Sequence, residues 1–185
     1  MLPLDATFHD ELCTAVSDGD LWKLWYTAIP QPEDMRAEID RRLVLQAKAS
    51  MLPFVVRSLS QHRIVGMTTY LTIDAAQTRV EIGSTWYAKS AQRTSLNTEC
   101  KQLLLTHAFE KLDCVAVEFR TSYFNYASRN AILRLGAKQD GILRSHSRHA
   151  DGSLRDTCVY SIIAAEWPAV KQHLTYQLAR LRPAA

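Results

Sequence analysis

Three consecutive β-type segments occupy the middle of the chain and restrict the folds that it can adopt. Residues 52–57, 63–71 and 79–87 are each rich in β-branched and aromatic residues, and short polar turns separate them. Short links of this kind join antiparallel neighbours, whereas parallel neighbours need a longer crossover. The pattern therefore predicts an antiparallel meander that follows a helical N-terminal region.

Helical spacing characterises the first forty-nine residues, where Met35, Ile39, Leu43 and Ala47 recur four residues apart on one apolar face. Because helices alternate with strands in the middle of the chain alone, the order of elements indicates a mixed α/β domain. It does not fit a doubly wound parallel sheet.

The second half of the chain predicts alternating helices and strands. Asn97 is placed to cap a helix that runs to about Leu112, and residues 115–120 form a short strand. Residues 125–136 predict a further helix that stops at a glycine. A strand beginning at Ile142, a return strand and a final helix complete the chain.

Composition excludes several classes of protein. The 185 residues carry 22 basic and 19 acidic side chains, a net charge of +3, and no uninterrupted apolar run of ~20 residues. We expect one domain spanning residues 1–185, no membrane span and, without a recognisable export signal, a cytoplasmic location. The most basic stretch, residues 144–155, is interrupted by Asp151, so nucleic acid is not an expected partner. The four cysteines lack CxxC spacing and His146-x-x-His149 specifies no third ligand, so no metal is expected.

A short polar loop, residues 92–97, joins the third strand to the next helix. The free N–H groups and the positive dipole at a helix N-terminus favour an anion such as a pyrophosphate, and Arg93 adds a formal charge. The alternative is a capped helix start without a ligand. The residues alone leave both interpretations open.

Several motifs in a fixed order carry a resemblance to a known family. The loop Gln92-Arg93-Thr94-Ser95-Leu96-Asn97 follows a strand and precedes a helix, and Asn125-x-x-Ser128 precedes Leu135-Gly136-Ala137. In this order the chain resembles the GNAT superfamily of N-acetyltransferases, in particular the branch that includes ribosomal-protein N-terminal acetyltransferases. Ser95 stands where that family has its first small glycine, and Asn97 stands at the second small position.

The resemblance implies a fold and a cosubstrate. The fold is a mixed, mostly antiparallel central sheet flanked by helices, in which the parallel strands 79–87 and 115–120 splay apart. Acetyl-CoA lies in the gap, with its pantetheine arm on strand backbone and its pyrophosphate on loop amides. Asn125 either hydrogen-bonds the pantetheine arm or caps its own helix. The residues assigned to acetyl-CoA are Thr85, Trp86, Tyr87, Gln92, Arg93, Thr94, Ser95, Leu96, Asn97, Asn125 and Ser128.

The resemblance also implies catalytic roles. Glu81 matches a strand position that carries a general base in some relatives, and alternation places Glu81, Gly83, Thr85 and Tyr87 on one strand face. A structural carboxylate is the alternative role for Glu81, and Glu118 is a competing base. Many relatives have a tyrosine acid where this chain has Ile132. Either Ser128 or Tyr126 lies near the leaving sulfur instead, or the thiolate is released directly to water without a protein acid.

The function that follows is an acetyl-CoA-dependent N-acetyltransferase that acts on a primary amine. The acceptor is either a protein N-terminus or a small molecule, and a longer acyl donor stays open. Dimers are common in this branch, so a homodimer is also implied. The alternative is a catalytically degenerate domain that binds CoA or a protein partner without turnover, because Ser95, Asn97 and Ile132 depart from the family pattern.

Overall fold

Seven strands and five α-helices make up residues 1–149 and 151–181, the part of the chain that the computed structural model describes; the side chain of Leu181 is outside it. The strands are β1 Leu2–Pro3, β2 Met51–Ser58, β3 Arg63–Asp74, β4 Arg79–Tyr87, β5 Ala116–Ser122, β6 Lys138–Arg148 and β7 Leu154–Ile163. The helices are α1 His9–Ser17, α2 Met35–Ala47, α3 Leu96–Glu110, α4 Tyr126–Arg134 and α5 Trp167–Leu181.

The strands form a sheet in the order β1-β2-β3-β4-β5-β7-β6. The pairs β1–β2, β2–β3, β5–β7 and β6–β7 are antiparallel, and β4–β5 is parallel. The parallel register runs from Arg79–Ala116 to Glu81–Glu118, whereas β4 continues to Tyr87 and β5 continues to Ser122. The mixed, mostly antiparallel sheet that the sequence predicts is confirmed.

The chain divides into two compact units, and the boundary crosses β4 between Glu81 and Ile82. The first unit comprises residues 1–73 and 82–96, and the second comprises residues 74–81 and the described part of 97–185. The first core is built from apolar side chains of α1, α2, β2 and β3 that are fully buried: Leu12, Val16, Met35, Ile39, Val55, Ile64 and Met67. The second core is built from α3, β5, β7 and α5: Leu104, Leu105, Val117, Phe119, Tyr160, Ile162 and Leu174.

Several predicted boundaries are wrong. Helix α3 begins at Leu96 and ends at Glu110, so Asn97 lies inside the first turn and is not the cap. Strand β6 begins at Lys138, four residues before Ile142, because its backbone pairs with β7 although its side chains are exposed and lack a strand-like apolar pattern. The N-terminal region is only partly α-helical, because 3-10 turns at Leu21–Lys23 and Pro32–Asp34 separate α1 from α2.

Within the described residues, no helix is both long enough and apolar enough to span a bilayer.

Candidate functional site

The end of β4 carries three of the predicted residues, Thr85, Trp86 and Tyr87. Thr85 is half-buried, and the two aromatic side chains are buried. Ser84 has a left-handed backbone with a φ of 46°, which strand residues other than glycine rarely adopt. Such a residue interrupts the side-chain alternation of a strand. The prediction that Glu81 shares one face with Thr85 and Tyr87 assumes a regular strand, and the backbone at Ser84 departs from that geometry.

The backbone of β4 lies very close to β3 at this point. A Cβ atom on Gly66 would overlap the carbonyl oxygen of Trp86 and lie 2.9 Å from the Cα atom of Tyr87. One residue further on, the Ala88 N–H donates to the Val65 carbonyl at 2.8 Å. Glycine is needed at position 66 because the backbone of β4 leaves no room for a side chain on β3 at this point. The path of Trp86–Ala88 is thereby fixed against β3.

The loop after β4 is shaped by bonds between its own side chains and backbone. A 3-10 turn covers Lys89–Ala91. Gln92 Nε2 donates to the Tyr87 carbonyl at 2.9 Å, and Thr94 Oγ1 donates to the Ala91 carbonyl at 2.8 Å. Arg93 is exposed and left-handed, with a φ of 60°. The Gln92 and Thr94 side chains therefore shape the loop, and the Arg93 charge faces solvent.

Helix α3 follows the loop directly. Thr94 Oγ1 accepts a hydrogen bond from the Leu96 N–H at 3.3 Å, so Thr94 takes part of the capping role that the sequence assigned to Asn97. Ser95, Leu96 and Asn97 are half-buried. A helix start preceded by a polar loop with one arginine is the arrangement that suits an anion.

The turn that precedes the loop is held by Asp18, which the sequence analysis did not single out. Asp18 Oδ2 accepts hydrogen bonds from Ser90 Oγ at 2.6 Å and from Arg63 Nη2 at 3.2 Å, and the Asp18 carbonyl accepts from the Lys89 N–H at 2.8 Å. The hydrogen bond from Ser90 is the main cause that lowers the pKa of Asp18. Asp18 stays ionised and anchors the start of the Lys89–Ala91 turn.

Two carboxylates and two arginines lie side by side at the parallel register. Glu118 accepts from Arg79 Nη2 at 2.7 Å and from Arg120 Nη2 at 2.9 Å, and Glu81 Oε2 lies 3.7 Å from Arg120 Nε. Burial raises the pKa of Glu118, but the hydrogen bonds from the two arginines outweigh burial and hold its pKa below the ordinary value. Glu118 is thus committed to two ion pairs, which argues against it as the base.

Glu81 is 7 % exposed and stands among positive groups. Besides Arg120, it interacts electrostatically with Arg155 on β7. Burial lowers the pKa of Arg155, and the Glu81 charge opposes that effect. The Glu81 carboxylate is thus a buried acidic group beside two arginines.

Asn125 and Ser128 form a helix cap, which is one of the two roles predicted for Asn125. The Ser128 N–H donates to Asn125 Oδ1 at 3.0 Å, which makes Asn125 the N-cap of α4. Both residues are half-buried. Ile132, at the position where relatives have a tyrosine, is 8 % exposed.

The predicted site residues fall into two groups. The first unit holds Thr85, Trp86, Tyr87, Gln92, Arg93, Thr94, Ser95 and Leu96, and the second holds Glu81, Asn97, Asn125 and Ser128. Sequence reasoning missed Ser84 and Arg42. Arg42 is buried on α2 and donates to the Ser84 carbonyl at 3.3 Å. An i,i+4 pair with Glu38 was the available signal for Arg42, but such pairs are usually exposed. Among the described residues, no group of three or more His, Cys, Asp or Glu side chains could hold a metal ion.

Comparison with known proteins identifies the family. The family model described as an acetyltransferase (GNAT) domain matches residues 2–138. The chain belongs to the GNAT acetyltransferase family. The resemblance noted from the Gln92–Asn97 loop and the Asn125-x-x-Ser128 motif is therefore confirmed.

One curated relative and two solved structures show the extent of the similarity. A Bacillus subtilis (strain 168) protein named "Putative ribosomal N-acetyltransferase YdaF" is 29 % identical over 108 residues, which is 58 % of each chain. The chain thus spans little more than half the length of that curated relative. The crystal structure of a GCN5-related N-acetyltransferase from Brucella melitensis has a TM-score of 0.85 at 30 % identity, over 98 % of this chain and 81 % of that one. A structure described as RimL, a ribosomal L7/L12 alpha-N-protein acetyltransferase, has a TM-score of 0.77 at 18 % identity, over 87 % of each chain, and supports the fold alone.

Proposed function

We propose that this GNAT protein transfers an acetyl group from acetyl-CoA to a primary amine, and that the amine is a protein N-terminus. The observation that carries the proposal is the family match over residues 2–138, which includes the β4–loop–α3 segment. The relative with 29 % identity carries the name "Putative ribosomal N-acetyltransferase YdaF", and a ribosomal acceptor favours a protein N-terminus over a small molecule. Residues 1–185 would act as one domain in this role.

The residues at the end of β4 and in the loop fit the proposed donor. Trp86 Nε1 is buried and has no hydrogen-bond partner among the described residues, so a polar ligand atom would satisfy it. Arg93 offers an exposed guanidinium to a pyrophosphate. Acetyl-CoA supplies an activated thioester. The backbone of Thr85–Tyr87 would hold and orient its pantetheine arm, with Asn125 as a further hydrogen-bond partner.

Glu81 is the proposed group that removes a proton from the acceptor ammonium. Its carboxylate is buried and lies 3.7 Å from Arg120, so it fits the role of a base better than Glu118 does, whose ion pairs are shorter, at 2.7 and 2.9 Å. We expect Glu81→Gln to lower kcat and to change the pH dependence of kcat. Glu118→Gln is the matched control, because it makes the same change in a neighbouring carboxylate that is already bonded to two arginines. Equal effects from both variants would assign Glu81 a structural role.

Ser128 is the proposed polar group near the leaving sulfur. Its N–H is used by Asn125, so its hydroxyl is the group that could donate to a thiolate. We expect Ser128→Ala to lower kcat by less than tenfold, since a thiolate is a good leaving group. A loss larger than that of Glu81→Gln would contradict this order of importance.

A binding domain without turnover is the second candidate. Ser95 at the family's glycine position and the buried Ile132 at the position of the tyrosine acid favour it. Such a domain would bind CoA and transfer no acetyl group to any amine. It would share the fold and the loop geometry, so activity measurements separate the two candidates.

Titration calorimetry with acetyl-CoA is the first test. We expect micromolar affinity for the wild type and about tenfold weaker binding for Arg93→Ala, the loss typical of one charge-assisted hydrogen bond. Arg36→Ala is the matched control, because Arg36 is an exposed arginine paired with Asp40 on α2. If the folded wild type does not bind acetyl-CoA, the proposal that acetyl-CoA is the donor is refuted.

A peptide assay tests the acceptor. Peptides with a free α-amino group and the same peptides with a blocked N-terminus are incubated with acetyl-CoA, and mass spectrometry locates the added acetyl group. Acetylation of the free N-terminus alone is the expected result. Acetylation of small amines but of no peptide would mean that the acceptor is a small-molecule amine and not a protein N-terminus. Acetyl-CoA binding without transfer to any amine would favour the binding domain.

Two further proposals concern the oligomeric state and the cellular location of the enzyme. We propose that the chain forms a homodimer and works in the cytoplasm. Light scattering after size-exclusion chromatography is expected to give twice the monomer mass of 21.0 kDa. A monomer at micromolar concentration would contradict the dimer.

A further inference from the structure

A buried arginine on α2 joins three elements of the first unit. Arg42 is 3 % exposed. Its Nε donates to Glu38 Oε1 at 2.6 Å, its Nη1 to Thr69 Oγ1 at 2.7 Å and its Nη2 to the Ser84 carbonyl at 3.3 Å. A guanidinium is costly to bury unless it is paired and hydrogen-bonded, so these contacts are what permits a charge at this position.

The third partner of Arg42 is the residue with unusual backbone geometry in β4. Ser84 is left-handed, a conformation that non-glycine residues adopt when the surroundings hold them there. The bond from Arg42 reaches the carbonyl of this same residue. The side chain of Arg42 therefore contributes to holding a backbone conformation that the strand itself disfavours.

The residue that follows Ser84 is attached to the same neighbouring strand. Thr85 Oγ1 lies 2.8 Å from Thr68 Oγ1 and donates to the Gly83 carbonyl at 3.2 Å. The first contact joins Thr85 to β3, and the second links the residues before and after Ser84. Thr68 is adjacent to Thr69, which accepts from Arg42. The Ser84 carbonyl and the Thr85 side chain are thus linked to neighbouring residues of β3, Thr69 through Arg42 and Thr68 directly.

We propose that Arg42 is a positioning residue that holds the left-handed turn at Ser84 and thereby sets the direction of the backbone of Thr85–Tyr87. This inference rests on the proposed function, in which Thr85–Tyr87 carries the acetyl donor. The link from Arg42 to the β4 backbone is testable by itself.

Arg42→Met distinguishes a role of Arg42 in positioning the β4 backbone from a role in the stability of the fold alone. Removing one partner of a buried ion pair is costly when the other charge is left unpaired, but Glu38 keeps its two bonds from Arg41 in Arg42→Met. Arg42→Met fills the same space and removes the bonds to Thr69 and Ser84. Arg41→Met is the matched control, because Arg41 donates to the same Glu38 carboxylate at 2.7 and 2.9 Å from an exposed position and has no bond to Ser84.

Hydrogen–deuterium exchange followed by mass spectrometry reads the β4 backbone directly. We expect peptides covering Ser84–Tyr87 to exchange about tenfold faster in Arg42→Met, with no change in peptides from α5, and no change in either region in Arg41→Met. With acetyl-CoA and a peptide that has a free α-amino group as the acceptor, kcat should fall by about tenfold or more in Arg42→Met, since small misplacements of a reacting group have effects of that size. The KM for the amine acceptor should stay within about twofold.

These measurements test the positioning role of Arg42 separately from the proposed acetyltransferase activity. Equal exchange at Ser84–Tyr87 in the two variants, or equal kcat, overturns the positioning role. If the wild type shows no acetyl transfer, the proposed function fails, and the exchange comparison still decides whether Arg42 holds the strand. If Arg42→Met does not fold, Arg42→Lys replaces it, because lysine keeps the charge opposite Glu38 but lacks the fork that reaches Thr69 and Ser84 together. Wild-type exchange and wild-type kcat in Arg42→Lys overturn the proposal.

Discussion

Gly66 is the position where a single methyl group tests both packing and function. In Gly66→Ala, the added Cβ would overlap the Trp86 carbonyl oxygen and lie 2.9 Å from Tyr87 Cα, whereas non-bonded carbons normally stay about 3.5–4.0 Å apart. Both atoms belong to backbone, so no side chain can rotate away. One of the two strands must shift by about 1 Å, and overpacking of this kind costs about 1–3 kcal/mol.

The predicted loss is measurable by calorimetry. For a chain of this size, 1 kcal/mol corresponds to about 2–4 °C, so a cost near the upper limit lowers Tm by about 6–12 °C. Because the shift falls on Trp86 and Tyr87, acetyl-CoA affinity should also fall, by about tenfold or more in titration calorimetry.

Gly141→Ala is the matched control for this substitution. A Cβ at Gly141 meets no atom within 4 Å, so the same chemical change should leave Tm within a few degrees of the wild type. If Gly66→Ala melts with Gly141→Ala and binds acetyl-CoA normally, the close approach of β3 to β4 does not constrain the strand and the reasoning is wrong.

Three further predictions concern the second unit. Asn125→Ala should cost about 1 kcal/mol because it removes the acceptor for the Ser128 N–H, and Asn125→Asp should restore the cap; equal denaturation midpoints for the two variants would contradict this. Leu174→Ala removes a fully buried side chain of α5 and should cost about 2–5 kcal/mol in urea unfolding, while a loss under about 1 kcal/mol would mean that the α5 face is not part of the core. Burial lowers the pKa of Lys101 to about 7, so the unfolded chain binds more protons above that pH and stability should rise from about pH 7 towards pH 10, by at most roughly 1.4 kcal/mol per pH unit. Lys101→Met should remove this rise in thermal melts across the pH range, and an unchanged pH profile would refute the assignment.

The elements that the sequence predicted well have local signals. The β2–β4 meander follows from β-branched segments with short polar links. The start of α4 at Asn125 and its end at Leu135-Gly136 follow from a capping residue and a glycine, and the structure has both. Each signal lies within a few residues of the feature that it predicts.

The features that the sequence did not predict depend on distant residues. Nothing near Ser84 indicates a left-handed residue, because the groups that hold it come from α2 and β3. Arg42 carries the pattern of an exposed i,i+4 pair, and its burial depends on the elements that pack around it. The early start of β6 depends on backbone pairing with β7, which leaves no trace in the side-chain pattern.

The sequence by itself determined the types and order of the α-helices and of strands β2–β7, but not β1, together with the β4–loop–α3 segment and the family, because periodicity, capping and motif spacing are local properties of the chain. Tertiary structure alone decided that Glu118 is committed to Arg79 and Arg120, that Glu81 stands beside Arg120, and that position 66 has no room for a side chain. These facts depend on which strands become neighbours and in which register, and hydrogen bonds, burial and charge act over ångströms of space rather than along the chain.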